Sequence, residues 1–566
     1  MASSSLFNGE RAVVLVFISR VLFSLPFSLL LHGLSLSLLA LSAFVVEIRA
    51  ETSASLSIFK TRPGASSGIL LGAVTLPVVM LSKLIQLSRA FALHEVALEE
   101  LEYSTVQYWA TSASSLSVLV FLYIIMLHAP DSTQHPGSHS SLDDKFTLCG
   151  MLVYVVACGV SLLTTSHTGF IMILNLLWVL CHGLAAVKLI RHFLNTFPSC
   201  ASIGEALLVT TGLVLYFGDM LACTIVKAIG YISSSELGFA QYGIKRSEIT
   251  TVIQGVILGL LLFPVIFKFV VQVWECSSRG YSEARTYNEI GRSFIFFSFL
   301  GVVLVVIIPS WMQFVNVFNL HPLLWVISFV FSEPLKRLSL CIYWVCVIYV
   351  SVLRFYNISK NSKIERILLR KYYHLMAVLM FLPALIFQPK FLDLAFGAAL
   401  AVFLALEIIR VWRIWPLGQP IHQFMNAFTD HRDSDLLIVS HFSLLLGCAL
   451  PIWMSSGYND RPLTPFAGIL SLGIGDTMAS MVGHKYGVLR WSKTGKKTIE
   501  GTAAGITSVL AACSVLLPLL ASTGYILSQH WFSLILAVTV SGMLEAYTAQ
   551  LDNAFIPLVF YSLLCL

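Results

Sequence analysis

The chain has 566 residues, of which 57% are hydrophobic and only 11% charged, and its formal net charge is +6. A soluble globule carries about a quarter of its residues as charges, so a chain this poor in charge, with 38 phenylalanines to hide, would expose large apolar patches in water. Composition thus excludes a soluble multidomain protein, a disordered chain, a coiled coil, a nucleic-acid-binding domain and a secreted disulfide scaffold, and makes lipid the solvent of most of the chain.

A bilayer core of ~30 Å takes about 20 predominantly apolar residues per helix. In chain order, such windows fall at 12–46, 66–90, 107–128, 147–165, 168–190, 203–229, 251–274, 293–312, 320–333, 338–355, 373–389, 393–412, 436–456, 464–484, 501–521, 524–547 and 553–566. The first run is too long for the core of a cleavable signal peptide and is expected to stay as one segment or a helical pair. None of the windows alternates as a barrel strand does, and backbone polar groups in hydrocarbon must be satisfied within the segment. The expected fold is therefore all-α, a polytopic integral membrane protein of roughly 14 to 17 transmembrane helices.

Charge and turn residues collect in His128–Lys145, Lys245–Glu248, Ser277–Arg292, Asn357–Lys371 and Gly418–Asp435, none long enough for a soluble domain. The 11 cysteines form no C-x-x-C pair, and Cys158, Cys181, Cys223, Cys341, Cys448 and Cys513 sit inside apolar runs, so they read as buried small hydrophobes. Asp219, an acid inside the 203–229 window, is expected to be a hydrogen-bonded structural residue or a span-boundary residue.

Basic loops stay in the cytosol. If the stretch before 373–389 is cytosolic, span parity puts Arg354, Lys360, Lys363, Arg366, Arg370, Lys371, Arg410, Arg413, Arg432, Lys485, Arg490, Lys493, Lys496 and Lys497 on that side, and only Lys390 and Arg461 on the other. Beyond Lys497 the chain has no Lys or Arg at all. The sequon at Asn357 falls on the cytosolic side and is expected to be unglycosylated.

The residues richest in chemistry run from Gly475 to Thr502. Asp476 lies in an apolar window, where an ionised carboxylate is costly and is usually functional or paired. Asp476, Ala479, Gly483 and Gly487 share one helix face by their spacing. Small residues on such a face serve close helix packing. The neighbouring residues favour a second use: Lys493, Lys496, Lys497 and Thr498, then Glu500 and Gly501 at the next span, offer cations and backbone N–H groups for phosphate and a carboxylate for Mg²⁺. The stretch from Gly487 to Thr494 has Ser492 where a P-loop needs glycine, and no preceding strand, so it is not one.

The spacing D-x-x-A-x-x-x-G-x-x-x-G followed by K-K-T-x-E-G resembles the signature of the CTP-dependent polyprenol kinases, the dolichol kinases above all. Upstream, Arg370-Lys371-Tyr372-Tyr373-His374 resembles their R-K-x-x-H element. Glu407 with Arg410, Asp430-His431-Arg432-Asp433 and His441 also resemble their C-terminal half. The resemblance covers about 365–566, and chain length favours the long dolichol kinase form over the shorter phytol and farnesol kinases. It divides the chain into a multi-span region of unassigned role, 1–350, and a kinase-like membrane domain, 351–566, with a cytosolic CTP-binding loop at about 476–502.

The resemblance implies transfer of the γ-phosphoryl group of CTP to the terminal hydroxyl of dolichol, in the endoplasmic reticulum membrane, for protein glycosylation. On that reading Asp476, Lys497 and Glu500 are catalytic. Asp476 and Glu500 hold Mg²⁺, or Asp476 accepts the alcohol proton. Gly483, Gly487, Lys493, Lys496, Lys497, Thr498 and Gly501 hold CTP, helped by Arg370, Lys371 and Arg432. His374, Glu407, Arg410, Asp430, Asp433 and His441 are second-rank candidates. Two other functions stay open: a membrane-lipid cytidylyltransferase, which would release pyrophosphate, and a transporter, which would place its polar groups near the midplane rather than at one interface.

Overall fold

The computed structural model describes residues 8–52, 59–62, 65–128, 160, 169–232, 246–278, 285–361, 366–426, 437–455, 460–491, 497–522 and 531–566. They form helices α1 (Gly9–Phe23), α2 (Leu30–Thr52), α3 (Ile69–Ala92), α4 (Leu98–His128), α5 (Gly169–Thr196), α6 (Ile203–Ile232), α7 (Glu248–Ser278), α8 (285–315), α9 (Pro322–Ser332), α10 (Pro334–Asn361), α11 (Arg366–Phe387), α12 (Pro389–Trp412), α13 (Gly418–Asn426), α14 (Val439–Met454), α15 (469–486), α16 (Ile499–Ser522), α17 (Trp531–Tyr547) and α18 (Asp552–Leu564). An isolated antiparallel bridge joins Arg490 and Thr498.

The all-α expectation holds because the long helices coincide with apolar runs and end where turn residues interrupt them, while the short α13 forms within the 418–435 linker. Three helices open on a proline, at Pro322, Pro334 and Pro389, where the missing N–H costs nothing. The first apolar run is a pair of helices, α1 and α2, parted at Pro26. Among the described residues ten helices are long and apolar enough to cross a membrane, and five shorter apolar ones lie at 322–332, 371–387, 442–454, 531–547 and 552–564. Together the ten long and five shorter apolar helices lie within the range of spans expected from sequence. The window 147–165 lies almost wholly outside the described residues.

Helix α3 is the pillar, with 89% of its apolar window buried, packed by α2, α4, α6 and α18. By contrast α10 is only 6% buried over its window, and Leu335, Ile342 and Val345 face outward from it, as lipid-facing side chains do. One continuous core joins N-terminal residues such as Val74 and Val78 to C-terminal Phe555 and Val559. Polar contacts cross the same boundary: Ser82 and Ser562 hydroxyls meet at 2.6 Å, and Arg89 pairs with Asp460 at 2.9 Å and donates to the Cys565 carbonyl at 2.6 Å.

Asp219 takes the structural role expected for it, pairing with Arg246 at 2.6 Å and accepting from the Tyr103 hydroxyl. Cys223, Cys448 and Cys513 are buried as expected, whereas Cys181 is exposed and Cys341 half-buried. They line outer helix faces, where lipid takes the place of a protein core. Cys158 lies outside the described residues.

Candidate active site

Lys371, Asp476, Lys497 and Asp552 meet at the end of the bundle where α11, α16 and α18 begin and α15 and α17 finish. Helix α15 starts with a π-helical stretch, Ile469–Asp476, and such widened turns recur at functional sites. Its last residue, Asp476, is 2% exposed. The carboxylate faces the first turns of α11, where Lys371 forms an ion pair with it and His374 Nδ1 lies 3.1 Å from Oδ2. His374 Nδ1 is also 3.2 Å from the Leu472 carbonyl oxygen. Gly473 lets α11 come this close, since a Cβ there would sit 2.2 Å from Val378 Cγ2. A carboxylate so enclosed is stable only when paired, and the chain supplies two partners from one helix.

The small-residue face of α15 packs on α16. A Cβ on Gly501 would stand 2.6 Å from the Ala479 carbonyl, and one on Gly483 2.8 Å from Thr498 Oγ1. Thr498 caps α16, its hydroxyl accepting the Gly501 N–H at 3.2 Å. Of the two uses open to Gly483 and Gly487, the structure displays helix packing. The segment between the helices returns on itself: Trp491 N–H donates to the Lys497 carbonyl at 3.2 Å and Ile499 N–H to that of Leu489 at 2.8 Å. Glu500 accepts the Leu489 N–H at 3.0 and 3.2 Å. It therefore anchors this arm to α16.

Lys497 turns inward from the base of the arm. Its ammonium donates to the Glu545 carbonyl and lies 3.2 Å from Asp552 Oδ2. Burial opposes its charge, but Asp552, Glu545 and Asp476 together outweigh that and hold Lys497 above the ordinary lysine range. Asp476, Lys371 and Lys497 in turn act on the Glu545 carboxylate, so the two clusters form one electrostatic unit. Beside it runs a narrow crevice lined by Glu545, Ser471, Thr502 and Ser541 together with Ile506, Val509, Val538 and Phe560. An acid and three hydroxyls among otherwise apolar lining suit a molecule with both a polar and an apolar part.

Asp476, Lys371, His374 and Lys497 are thus brought together. Lys493, Lys496, Arg432, Asp430 and Asp433 lie outside the described residues, as do the side chains of Arg370 and His441. Glu407 and Arg410 are a structural pair: two bonds of 2.7 Å join them, Glu407 accepts the Ile438 N–H at 3.0 Å, and Arg410 is 1% exposed. Sequence reasoning missed Glu545 and Asp552. The signal was there, because these are the only acids after Glu500 in a stretch with no Lys or Arg, so their counter-ion had to come from elsewhere.

Among the described residues no three His, Cys, Asp or Glu side chains cluster as metal ligands. A magnesium ion asks less of a protein, commonly one or two carboxylates completed by water and substrate phosphates. Asp476 and Glu545 are two buried acids that act on each other electrostatically, and Glu500 accepts the Leu489 N–H.

A family model described as Dolichol kinase matches residues 148–516. The chain is 68% identical over its whole length to "Dolichol kinase EVAN" of Arabidopsis thaliana, covering 99% of that protein. It is 33% identical to "Dolichol kinase" of Homo sapiens over 403 residues, 67% of this chain and 68% of the relative. With "Dolichol kinase" of Saccharomyces cerevisiae it shares 32% identity over 244 residues, 42% of this chain and 43% of the relative. No solved structure matches.

Proposed function

The chain belongs to the dolichol kinase family, and from that premise we propose that it moves the γ-phosphoryl group of CTP to the terminal hydroxyl of dolichol, giving dolichyl monophosphate. The observation that carries this reading is the convergence of Asp476, Lys371 and His374 with Lys497, Glu545 and Asp552, beside a crevice lined by Glu545, three hydroxyls and apolar side chains. Phosphoryl transfer needs positioning and charge neutralisation more than covalent chemistry from the protein, and this cluster offers both signs of charge at one place.

In this reading the arm bearing Lys493, Lys496 and Lys497 receives the triphosphate. Lys497 binds it by exchanging part of its contact with Asp552 for phosphate oxygens. Asp476, with Glu545, holds a divalent cation, which supplies neutralisation of phosphate charge when bound. Lys371 and His374 keep the Asp476 carboxylate aimed and ionised, and Lys371 stands ready to contact phosphate as well. The isoprenoid stays among the apolar helices while its hydroxyl reaches Glu545, Ser541 and Thr502. The excess of Lys and Arg on one side of the C-terminal half supports a cytosolic arm, where CTP is, in the membrane of the endoplasmic reticulum, where dolichyl phosphate serves protein glycosylation.

Purified protein in detergent, given dolichol and CTP labelled at the γ-phosphate, tests the donor and acceptor together. ATP, phytol and farnesol are the parallel controls. Label entering dolichol from CTP alone, with CDP as co-product, is the expected result. Release of pyrophosphate would point to cytidylyl transfer and refute the proposal.

A further inference from the structure

The turn between α17 and α18, residues 548–551, stands between both partners of Lys497: the Glu545 carbonyl precedes it and Asp552 comes directly after it. A turn that only connects two helices at a membrane surface leaves its polar groups to water. This one is held by side chains from the first 205 residues. Arg62 Nη2 donates to the Ala549 carbonyl at 3.2 Å, and the Glu205 carboxylate accepts the Leu551 N–H at 2.7 Å. Between them Gln550, 0% exposed, donates from Nε2 to the Ser66 carbonyl and hydroxyl at 3.1 and 2.8 Å and accepts from the Ser202 hydroxyl.

The clamp is itself built rigidly. Arg62 and Glu205 are paired at 2.5 Å and are 5% and 2% exposed at their side chains, and Glu205 also accepts the Ser202 N–H at 2.9 Å. Gly68, at φ +59°, brings the chain against the Gln550 amide, where a Cβ would stand 2.4 Å from Cδ. A buried polar network joined by this many mutual contacts holds its members in one geometry, and here that geometry is the height and orientation of the Glu545 carbonyl and of Asp552.

We infer that Arg62, Glu205 and Gln550 are positioning residues for the kinase, and that the N-terminal membrane region acts in the reaction by setting, through the 548–551 turn, where the Lys497 ammonium stands. The inference rests on the reading that Lys497 holds the donor triphosphate. It gives the N-terminal region a role that no motif in it announces. A rigid support of this kind matters because misplacing a binding group by about 1 Å costs on the order of a hundredfold.

The test measures the dissociation constant for labelled CTP by equilibrium binding, KM for dolichol, kcat and Tm on the full-length purified protein. The variants are Gln550→Leu, the paired replacement Arg62→Met/Glu205→Leu, and Lys497→Ala as reference. The pair is removed together because a lone buried charge would unfold the site for unrelated reasons. Lys497→Ala is expected to weaken CTP binding, and both clamp variants to weaken it by roughly tenfold, with KM for dolichol unchanged within about twofold. A fall in Tm or in the amount of folded protein, with CTP affinity of the folded fraction intact, would make the clamp merely structural and overturn the inference. If Lys497→Ala leaves CTP affinity unchanged, the triphosphate reading fails, and the inference falls with it. If Lys497→Ala weakens CTP binding and neither clamp variant does, only the inference falls.

Discussion

Replacing Lys371 by methionine separates what the buried carboxylate contributes to the fold from what it contributes to the reaction. Asp476 is 3% exposed at its side chain and Lys371 13%, and with the ammonium gone the remaining side-chain partner is His374 Nδ1 at 3.1 Å. Taking one partner from a buried ion pair costs about 3–5 kcal/mol, because the other charge is left uncompensated. Removing both charges together with Lys371→Met/Asp476→Leu leaves an apolar pair of similar volume, and such replacements are commonly neutral or better. The single variant is therefore expected to unfold at distinctly lower temperature in detergent, and the double variant to recover most of that loss. Kinase activity is expected to fall in both, by about 10²–10³-fold in the double, the scale seen when a group stabilising transition-state charge is deleted. Tryptophan fluorescence on heating gives the first quantity and label transfer from CTP the second. A Lys371→Met protein as stable as the parent would refute the buried-pair argument, and an active double variant would remove Asp476 from the mechanism.

Glu407→Leu should lose about 3–5 kcal/mol for the same reason, given Arg410 at 1% exposure. Here, however, Glu407→Leu/Arg410→Met should regain activity along with stability, which an activity assay on the thermally matched proteins reads directly. Gly501→Val drives a side chain into the Ala479 carbonyl at 2.6 Å and should cost about 1–3 kcal/mol as α15 and α16 part, whereas Gly230→Val, with nothing within 4 Å, should leave both Tm and activity as they were. Stripping divalent cations with a chelator should stop label transfer, and returning Mg²⁺ should restore it. Full activity in the chelator would remove the cation from the reading.

How much of the fold and site is legible in the sequence depends on the range of the forces involved. Helices are legible because each needs only its own apolar run, and Asp476 because a lone acid in such a run is an anomaly that requires no partner to be noticed. Lys371 and His374 are legible through a motif. Glu407 and Arg410 belong to the same set of candidates, since spacing of three residues on a helix does not tell a closed ion pair from a waiting site. The 2.7 Å contacts and the burial of Arg410 show that the pair forms, which spacing alone does not. Likewise Gly483 and Gly487 have two uses in sequence, and the face they pack against, Thr498 to Gly501, appears only when α15 and α16 stand side by side.

The acids that complete the cluster are harder still. Glu545 and Asp552 lie 48 and 55 residues beyond Lys497, and no periodic pattern links positions on three stacked helices. What charge balance supplies is a constraint of another kind: acids in a basic-free apolar tail must find a cation on another element or remain neutral. Lys497 is the last cation in the chain, so the balance already points back to it. The clamp beneath offers no such anomaly. Gln550 is neutral and its contacts with Ser66 and Ser202 span 484 and 348 residues, which is why a region without a recognisable motif can still govern the position of the residue on which the motif depends.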